Sequence, residues 1–225
     1  MIVREVNPTR IAWDLRRRGG ERYDAYWKEL QLEMQFLPPT LFTQEKPIWL
    51  EIGAGTGAFF VEMAKANPDR QLIAIERCKE RGKRLLRKTE KSLLANLASF
   101  RGNAIPALIN EIPAESIERI YILYPAPFAR NSQRKNRWYL HPLMPHLVRI
   151  LKKGGLLIWA SDQEFYINEA EHVCRSRFQL ETLAHGALAA NPYNALDLFP
   201  EGRTKFERTF RAEGLTCHEL VCKKL

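Results

Sequence analysis

The stretch LEIGAGTG at residues 50–57 joins a short apolar run, which begins at Ile48, to a cluster of three glycines. An apolar run of this length before a turn is typical of a buried strand. The glycines permit positive φ angles and let a ligand approach the backbone closely. A helix that starts after them would offer unpaired N–H groups at its first turn. The stretch therefore predicts a strand, a ligand-binding turn and a helix in succession.

The rest of the chain alternates between short apolar runs and stretches with helical spacing. Strands are predicted at 48–52, 71–76, 98–101, 119–124 and 156–161, and two strand-like stretches at 206–211 and 216–222 would form a hairpin around Gly214. Helices are predicted at 57–67, 79–97, 104–111, 138–152 (ending at Gly154 and Gly155) and 164–177. This order predicts an α/β fold with a doubly wound, mostly parallel, seven-stranded sheet. Ligands of such sheets bind outside the carboxyl ends of the strands.

Residues 1–46 differ in composition from residues 47–225, and we expect a basic N-terminal extension followed by one larger domain. The extension carries the arginine run Arg16 to Arg18 between the aromatic residues Trp13 and Tyr23. Basic residues mixed with aromatic ones suit an arm that binds nucleic acid. The same composition also fits an amphipathic helix that packs on the domain and leaves its arginines in solvent. The sequence favours neither alternative over the other.

The formal net charge of the chain is +9, which favours a polyanion as partner, although a basic protein need not have one. The four cysteines form no C-x-x-C pair and do not cluster with histidines, so we expect reduced thiols, no metal site and a cytoplasmic protein. The sequence lacks any run of about 18 apolar residues, so no membrane span is expected.

Polar side chains lie near the ends of the first three predicted strands. Glu51 precedes the first glycine by two residues, where it would face a cationic amino group and repel a pyrophosphate. Glu76 could accept hydrogen bonds from both hydroxyls of a ribose, and Asn103 could bond the edge of an adenine. This set favours S-adenosylmethionine over a nicotinamide cofactor, whose G-x-G-x-x-A pattern is also present, and over a purely structural turn. The predicted cofactor-binding residues are Glu51, Gly53, Gly55, Gly57, Glu76, Asn103 and Ala104.

Several segments between residues 48 and 222 resemble the bacterial tRNA (guanine-N7)-methyltransferase family. They are LEIGAGTG, MAKANPD at 63–69, the strand ending in IE at 75–76, YPAPFAR at 124–130, QRKNR at 133–137, SDQEFY at 161–166 and RTKFE at 203–207. The TKFE tetrapeptide and the proline-flanked loop are the specific ones, whereas the glycine motif is shared with most methyltransferases. The resemblance implies a class I, Rossmann-like enzyme that methylates N7 of a guanine in tRNA with S-adenosylmethionine.

The resemblance also implies roles for single residues and for partners. Asp162 and Glu207 are implied as catalytic residues, and tRNA is implied as the partner of a monomer or homodimer. Two simpler interpretations are that Asp162 only caps the following helix and that Glu207 forms a surface ion pair with Lys205 or Arg203. The implied substrate-binding residues are Arg130, Arg134, Lys135, Arg137, Asp162, Thr204, Lys205, Phe206 and Glu207.

One segment departs from the family pattern, which has Pro-Asp-Pro-Trp after the fourth strand with the aspartate treated as catalytic. Here the segment is Pro125-Ala126-Pro127-Phe128, so the carboxylate is missing. Guanine N7 has an exposed lone pair and no proton, so orientation of the reactants can supply most of the rate acceleration. Methyl transfer to tRNA is therefore expected to persist. The alternatives are a divergent methyltransferase with another RNA or a small molecule as substrate, and a catalytically weak RNA-binding relative.

The predicted helix after the second strand is strongly basic. Residues 77–91 contain eight lysines and arginines against Glu80 and Glu90. Such residues bind phosphates without choosing a sequence, and a folded RNA would then be selected by its shape. The alternative is an ordinary solvated helix face.

Overall fold

A computed structural model describes residues 37–225, and these residues form a single seven-stranded sheet with the strand order β3-β2-β1-β4-β5-β7-β6. Strands β1 to β5 pair with one another in parallel. Strand β7 lies between β5 and β6 and is antiparallel to both. The strand order reverses between β1 and β4, which is where open α/β sheets form a crevice for ligands. The prediction of a doubly wound, mostly parallel, seven-stranded sheet is confirmed. The nucleic-acid arm predicted within residues 1–46 lies almost wholly outside the described residues.

The helices and strands follow the order that the sequence predicts over most of the chain. The strands are β1 Ile48–Ile52, β2 Gln71–Glu76, β3 Leu97–Arg101, β4 Ile117–Leu123, β5 Leu151–Ser161, β6 Glu181–Ala187 and β7 His218–Lys223. The helices are α1 Ala58–Ala66, α2 Lys79–Ser92, α3 Ala104–Pro106 (continued by a π-helical turn, Ala107–Glu111), α4 Met144–Ile150, α5 Glu164–Phe178 and α6 Lys205–Ala212. Short 3₁₀ turns occupy Pro39–Phe42, Asn131–Asn136, Trp138–Leu140 and Leu196–Leu198.

Apolar side chains cover both faces of the sheet, as its crossover connections require. Alternate residues of β1 point to opposite faces, so Leu50 packs in one cluster with Trp159 and Tyr166, and Trp49 packs in the other with Phe60. All five residues of β1 are buried. Because β1 is fixed on both faces, the glycine turn that follows it starts from a rigid position.

The second helix is shorter than the sequence predicts. The prediction extends it to residue 97, but α2 ends at Ser92 and Leu93 adopts a left-handed conformation with φ 54°. Leu93 is 90% exposed, so it does not belong to a buried helix face. Leu97, the last residue of the predicted helix, instead begins β3 and is buried. An apolar residue in a short β-strand gave the same local signal as the end of a helix.

The helix predicted at 138–152 is confirmed only in part, at residues 144–150. The segment forms a 3₁₀ turn at Trp138–Leu140 and then the short helix α4, and β5 begins directly afterwards at Leu151. Pro142 and Pro145 lack backbone N–H groups, so a continuous helix through them would lose hydrogen bonds, and Pro145 instead occupies the first turn of α4. Gly154 and Gly155 therefore do not end a helix but lie within β5.

The strand predicted at 206–211 is also wrong, because these residues belong to α6. Thr204 caps this helix, since its Oγ1 accepts a hydrogen bond of 3.0 Å from the backbone N–H of Glu207. β7 lies between β5 and β6 in the sheet, and β6 was not predicted from the sequence. Most of β6 is exposed or only half-buried, as is common for an edge strand, so its hydrophobic alternation is weak.

Candidate active site

A deep cleft of about 1210 Å³ opens at the carboxyl ends of β1, β2 and β4, where the strand order reverses. The glycine turn and Glu76 line one side, and the loop after β4 and the start of α6 line the other. Ligand pockets usually measure roughly 300–1,000 Å³. The volume of this cleft lies above that range.

The glycine turn follows β1 without a break in the hydrogen-bonding pattern. The N–H groups of Gly53 and Ala54 donate to the carbonyl of Ile75 in β2, at 2.8 and 3.1 Å. The N–H of Gly55 donates to Oε2 of Glu76 at 2.8 Å. Gly55 has a φ of 58°, and a Cβ built on it would meet no protein atom within 4 Å. The backbone at this point is therefore open to a ligand in the cleft.

Glu51 lies in the wall of the cleft as a nearly buried carboxyl group, 3% exposed. Among residues 37–225, no group forms a hydrogen bond with its Oε2 atom. Burial, together with repulsion by Glu76, raises the pKa of Glu51 to about 8, although Arg203 acts in the opposite direction. A buried acid without a donor is costly in the ionised form, so a cation in the cleft would stabilise its carboxylate.

Glu76 ends β2 and is as deeply buried as Glu51, but its carboxylate already has donors. Its Oε2 accepts from Gly55, and its Oε1 accepts from the N–H of Cys78 at 2.7 Å and from Arg81 at 3.3 Å. These hydrogen bonds therefore hold the carboxylate of Glu76 beside the glycine turn. Its remaining lone pairs can accept hydrogen bonds from a ligand, because an ionised carboxylate has about four acceptor sites.

Asn103 and Ala104 line the same cleft beyond β3, and both are buried. Asn103 is the N-cap of α3, and its Oδ1 accepts from the N–H of Ile105 at 3.2 Å. This contact fixes the side chain and leaves its amide N–H₂ group without a partner among the contacts of the described residues. The amide can donate to a heterocyclic ring in the cleft.

The loop after β4 forms the opposite wall. Tyr124 and Phe128 enclose the sequence Pro125-Ala126-Pro127, and both adopt positive φ angles, 54° and 46°. Ala126 is exposed and lines the cleft. The hydroxyl of Tyr124 donates to Oε2 of Glu207 at 2.9 Å. Burial, followed by the charge of Glu207, raises the pKa of Tyr124 far above its ordinary value, so this hydroxyl keeps its proton.

Glu207 does not occupy the position expected of a residue in direct contact with substrate. It is fully buried, and the residues that line the cleft in the described structure do not include it. Its carboxylate pairs with Arg203, which is also fully buried and which pairs in turn with Glu219 at 2.6 Å. The expected pairing with Arg203 therefore exists, but in the interior and not on the surface. Within residues 37–225, the carboxylate of Glu207 is connected to the cleft through Tyr124 and Arg203.

Arg137 is another residue whose position differs from the expectation. It was expected to contact RNA, but it is only 5% exposed and it pairs with Glu169 of α5. Its remaining N–H groups donate to the carbonyls of Phe128 and Ala129. A guanidinium with five donors can bind a carboxylate and a loop backbone at once, which a surface role would not require.

The other basic residues of this loop remain near the surface. Arg130 and Lys135 are exposed, and Lys135 lines the cleft. Arg134 is 56% exposed and forms an ion pair with Glu169. Thr204, Lys205 and Phe206 line the cleft as well, at the start of α6. Phe206 is 46% exposed and stacks on Phe210 at a centroid distance of 4.5 Å.

Asp162 is half-buried at the carboxyl end of β5, and the described residues that line the cleft do not include it. Its Oδ2 accepts from the side chain of the neighbouring Gln163. The interpretation of Asp162 as the cap of the next helix is wrong, because the N-cap position is Gln163. A direct contact of Asp162 with substrate stays a prediction.

Arg203 and Tyr124 are residues of this site whose roles were not proposed from the sequence. Arg203 lines the cleft and connects Glu207 to Glu219, and Tyr124 connects the loop to Glu207. The spacing of Arg203 and Glu207 by four residues gave a signal, but such pairs are usually exposed and weak. Tyr124 belonged to a segment that the sequence could also explain as a rigid loop.

The basic residues of α2 and of the two residues before it all lie at the surface. Of these, Arg77 and Arg81 reach the cleft. Lys135 and Lys205 form an exposed basic rim of the cleft, and α2 extends the positively charged surface away from this rim.

Comparison with known proteins decides the family. Residues 45–220 match a family described as "Putative methyltransferase". The tRNA (guanine-N(7)-)-methyltransferase of Chlamydia abortus is 30% identical over 84% of this chain and 81% of the relative. The chain belongs to the tRNA (guanine-N7)-methyltransferase family. The resemblance read from the sequence is confirmed.

Other relatives of this methyltransferase family are longer. The bifunctional methyltransferase of Rickettsia prowazekii is 30% identical over 80% of this chain, but the match spans only 36% of the relative. Among solved structures, the 16S rRNA methyltransferase KamB superposes with a TM-score of 0.59 at 15% identity, covering 82% of this chain and 91% of that one. At this identity the superposition supports the class I methyltransferase fold.

A methyltransferase family implies a methyl donor, and S-adenosylmethionine is the donor that the sequence predicts. The cleft fits this cofactor on two observations: the buried Oε2 of Glu51 has no hydrogen-bond partner in the described part of the chain, and Gly55 leaves open space beside it. S-adenosylmethionine carries a cationic amino group and a sulfonium, which match a buried acid. The described residues contain no group of histidines, cysteines and acids arranged for a metal, and none of their helices has the length and hydropathy of a membrane span.

Proposed function

We propose that this chain transfers a methyl group from S-adenosylmethionine to N7 of a guanine in tRNA. The observation that carries the proposal is one cleft with a buried acidic floor, formed by Glu51 and Glu76, under an exposed basic and aromatic rim, formed by Lys135, Lys205 and Phe206. An acidic floor suits a cationic donor, and a basic rim suits a polyanionic substrate. The names of relatives that match most of the chain support tRNA as that substrate.

Each residue at the floor of the cleft would bind a different part of the cofactor. Glu51 would pair with the amino group, because it is the buried acid without a hydrogen-bond donor to its Oε2 among the described residues. Glu76 would accept from the ribose hydroxyls, and Asn103 and the backbone of Ala104 would meet the adenine. Gly53 and Gly55 would let the cofactor lie against the backbone, whereas Gly57, also predicted to bind it, packs against Leu85 and is not among the described residues that line the cleft.

Bound S-adenosylmethionine supplies a methyl group on a sulfonium sulfur. Guanine N7 offers a lone pair and carries no proton, so the transfer forms one N–C bond, breaks one S–C bond and requires no general base. The positive charge passes from sulfur to the purine. The chain therefore has to hold nucleophile, methyl carbon and sulfur in line and to keep water from the cleft.

The missing carboxylate at Ala126 is compatible with this chemistry. Loss of one orienting or charge-balancing contact costs about 2–3 kcal/mol, or about two orders of magnitude in rate. Asp162 and Glu207 are the acids that could offset part of this cost, Glu207 through Tyr124. We propose a positioning role for Glu207 and keep Asp162 as a candidate for contact with the base.

The rim would receive the RNA. Lys135 and Lys205 would bind phosphates near the target base, Phe206 would contact the base itself, and Arg130 and Arg134 would extend the phosphate contacts. The basic residues of α2 would add affinity without sequence choice. We further propose that residues 1–46 are an extension to a methyltransferase domain of residues 47–225, and that the enzyme acts in the cytoplasm as a monomer or homodimer without a metal.

The decisive experiment is transfer of labelled methyl to tRNA from a strain that lacks N7-methylguanosine, followed by mapping of the modified base. We expect one labelled guanine, with the label at N7. A matched reaction with fully modified tRNA should incorporate none.

Two results would contradict the proposal. Label on another RNA or on a small molecule would identify a divergent methyltransferase, which is the alternative that Ala126 favours. Tight binding of S-adenosylmethionine without transfer to any tRNA would identify an RNA-binding relative that has lost the reaction.

A further inference from the structure

The loop after β4 is bounded at both ends by strained residues. Tyr124 and Phe128 adopt the left-handed conformation, with φ 54° and 46°, although neither is glycine. Such a conformation costs roughly 1–2 kcal/mol for a residue with a side chain. It persists only where surrounding contacts hold the backbone in place, and it is common in active sites and ligand-binding loops. Each end of this loop should therefore have its own anchor.

The first anchor holds Tyr124. Its hydroxyl donates to Glu207, whose carboxylate also accepts from the Nε of Arg203 at 3.1 and 3.2 Å. Arg203 is fixed from its other side by Glu219 at 2.6 Å. All three charged groups are buried. Removal of one partner of a buried pair leaves the other charge uncompensated, so the cluster has one favoured arrangement.

The second anchor holds Phe128 and Ala129. Arg137 donates to the carbonyl of Phe128 through Nε at 3.2 Å and through Nη2 at 3.0 Å, and to that of Ala129 at 3.3 Å. Glu169 pairs with Arg137 and also accepts from Tyr139 at 2.7 Å. Although burial alone would raise the pKa of Glu169, hydrogen bonds from Tyr139 and two arginines lower it, so the carboxylate stays ionised near neutral pH.

We propose that the ion pairs Arg203–Glu207 and Arg137–Glu169 act together as two anchors that hold loop 124–128 in the shape that aligns the substrate with the methyl donor. The four charged residues are positioning residues, because they act through Tyr124 and Phe128. This inference rests on the proposed function and deepens it.

The anchors would matter more here than in a site with an acid on the loop. Pro125, Ala126 and Pro127 carry no charged or hydrogen-bonding side chain, so the loop can guide a base only by its shape. A transfer that depends on alignment is sensitive to small shifts, since displacement by about 1 Å can cost about a hundredfold in rate. A loop held at both ends by ion pairs, one fully buried and the other half-buried at Glu169, supplies that alignment.

The test compares Glu169→Gln with Glu171→Gln. Both glutamates lie on α5, their side chains are 17% and 18% exposed, and both accept from an arginine, but Glu171 pairs with Arg175 away from the loop. We expect Glu169→Gln to lower kcat for methyl transfer at least tenfold and to leave the Kd for S-adenosylmethionine within twofold. Glu171→Gln should change neither value by more than twofold.

Amide hydrogen exchange measures the loop without any substrate. In Glu169→Gln the amides of Ala126, Phe128 and Ala129 should exchange at least tenfold faster, while those of β4 keep their rates. Arg137→Lys, which keeps the charge but loses the forked donors, should show a smaller change in the same direction. Arg137→Lys also decides the question if Glu169→Gln fails to fold.

The two anchors also predict a coupling. Once Glu207→Gln has released one end of the loop, Glu169→Gln should reduce kcat by clearly less than it does in the wild-type chain. Reductions that multiply would show that the ends act separately, and this would overturn the proposal.

Two further results would also overturn it: unchanged loop exchange in Glu169→Gln and Arg137→Lys, or faster exchange with unchanged kcat. A wild-type chain that methylates no tRNA refutes the proposed function instead, and exchange then still decides whether the ion pairs hold the loop.

Discussion

Glu51 and Glu76 are equally buried acids of one cleft, each 3% exposed, but their surroundings differ. Glu76 accepts hydrogen bonds from two backbone N–H groups and from Arg81. Oε2 of Glu51 has no donor within residues 37–225, and burial raises the pKa of this residue to about 8. The two acids therefore have different roles. Glu76 is a fixed hydrogen-bond acceptor, and Glu51 is a group that ionises when a cation binds.

Binding of S-adenosylmethionine should release a proton from Glu51. Near pH 7 the unliganded group holds its proton, because its pKa lies at about 8, and a cationic ligand lowers that pKa. Affinity should therefore rise with pH, by up to about tenfold per unit, as the pH approaches about 8 from below. Titration calorimetry in buffers of different ionisation enthalpy measures the released protons directly.

Glu51→Gln is the control for this linkage, because glutamine keeps the shape and removes the titrating group. The amino group of the cofactor itself titrates in a similar range, so the relevant quantity is the difference between wild type and variant. Equal proton release by the two proteins at pH 7 would show that Glu51 does not ionise on binding.

The glycine turn illustrates how neighbouring positions of one motif serve different ends. Gly55 faces open space, whereas a Cβ on Gly57 would come within 2.5 Å of Cδ1 of Leu85 in α2. Both have positive φ angles, so an alanine is strained at either position. Gly55 therefore serves the ligand, and Gly57 serves the packing of α2 against the start of α1.

Alanine substitutions should separate these two roles. Gly55→Ala should weaken S-adenosylmethionine binding at least tenfold and lower the free energy of unfolding by only about 1–2 kcal/mol, the strain of the backbone. Gly57→Ala should be destabilised by a further 1–3 kcal/mol or so, because the core around Leu85 is overpacked. Urea unfolding and calorimetry measure both quantities. Equal loss of stability in the two variants would contradict this division.

The parts of the fold that the sequence predicts well are those in which local pattern and burial agree. The runs that form β1 and β2 are mostly apolar and buried on both faces, so their ends were predicted to the residue. Prediction failed where the tertiary structure decides. Residues 206–211 carry a pattern that suits a strand or a helix, and the cap at Thr204 makes them helical.

Side-chain roles were harder to predict than positions along the chain. The sequence brings Glu51, Glu76 and Asn103 to one edge of the sheet, because the carboxyl ends of parallel strands meet there. It does not show that Arg137 and Glu207 point inward, since charged residues are exposed by default and are buried only with a partner. Glu169 gives no signal of its pairing with Arg137 in the sequence, and the four-residue spacing of Arg203 and Glu207 indicates a pair but not its burial.

Across the described chain, charge is separated between the bottom and the rim of the cleft. Glu51 and Glu76 are buried at the bottom, and Lys135 and Lys205 are exposed at the rim. The surplus of nine positive charges over the whole chain adds a longer-range attraction for polyanions. This arrangement attracts RNA to the surface while reserving the interior for a small cation.

The rim makes a prediction about salt. Lys135→Ala should weaken tRNA binding and lower the slope of log affinity against log salt by about 0.7–0.9, the loss of one phosphate contact. Lys153→Ala is the matched control, because Lys153 is exposed near the start of β5, away from the carboxyl edge that holds the cleft. Filter binding over a range of salt concentrations measures both slopes. Only a residue that displaces counterions from phosphate changes the salt dependence of binding. A slope that is unchanged in Lys135→Ala, or reduced equally in Lys153→Ala, would therefore show that this rim does not contact the RNA.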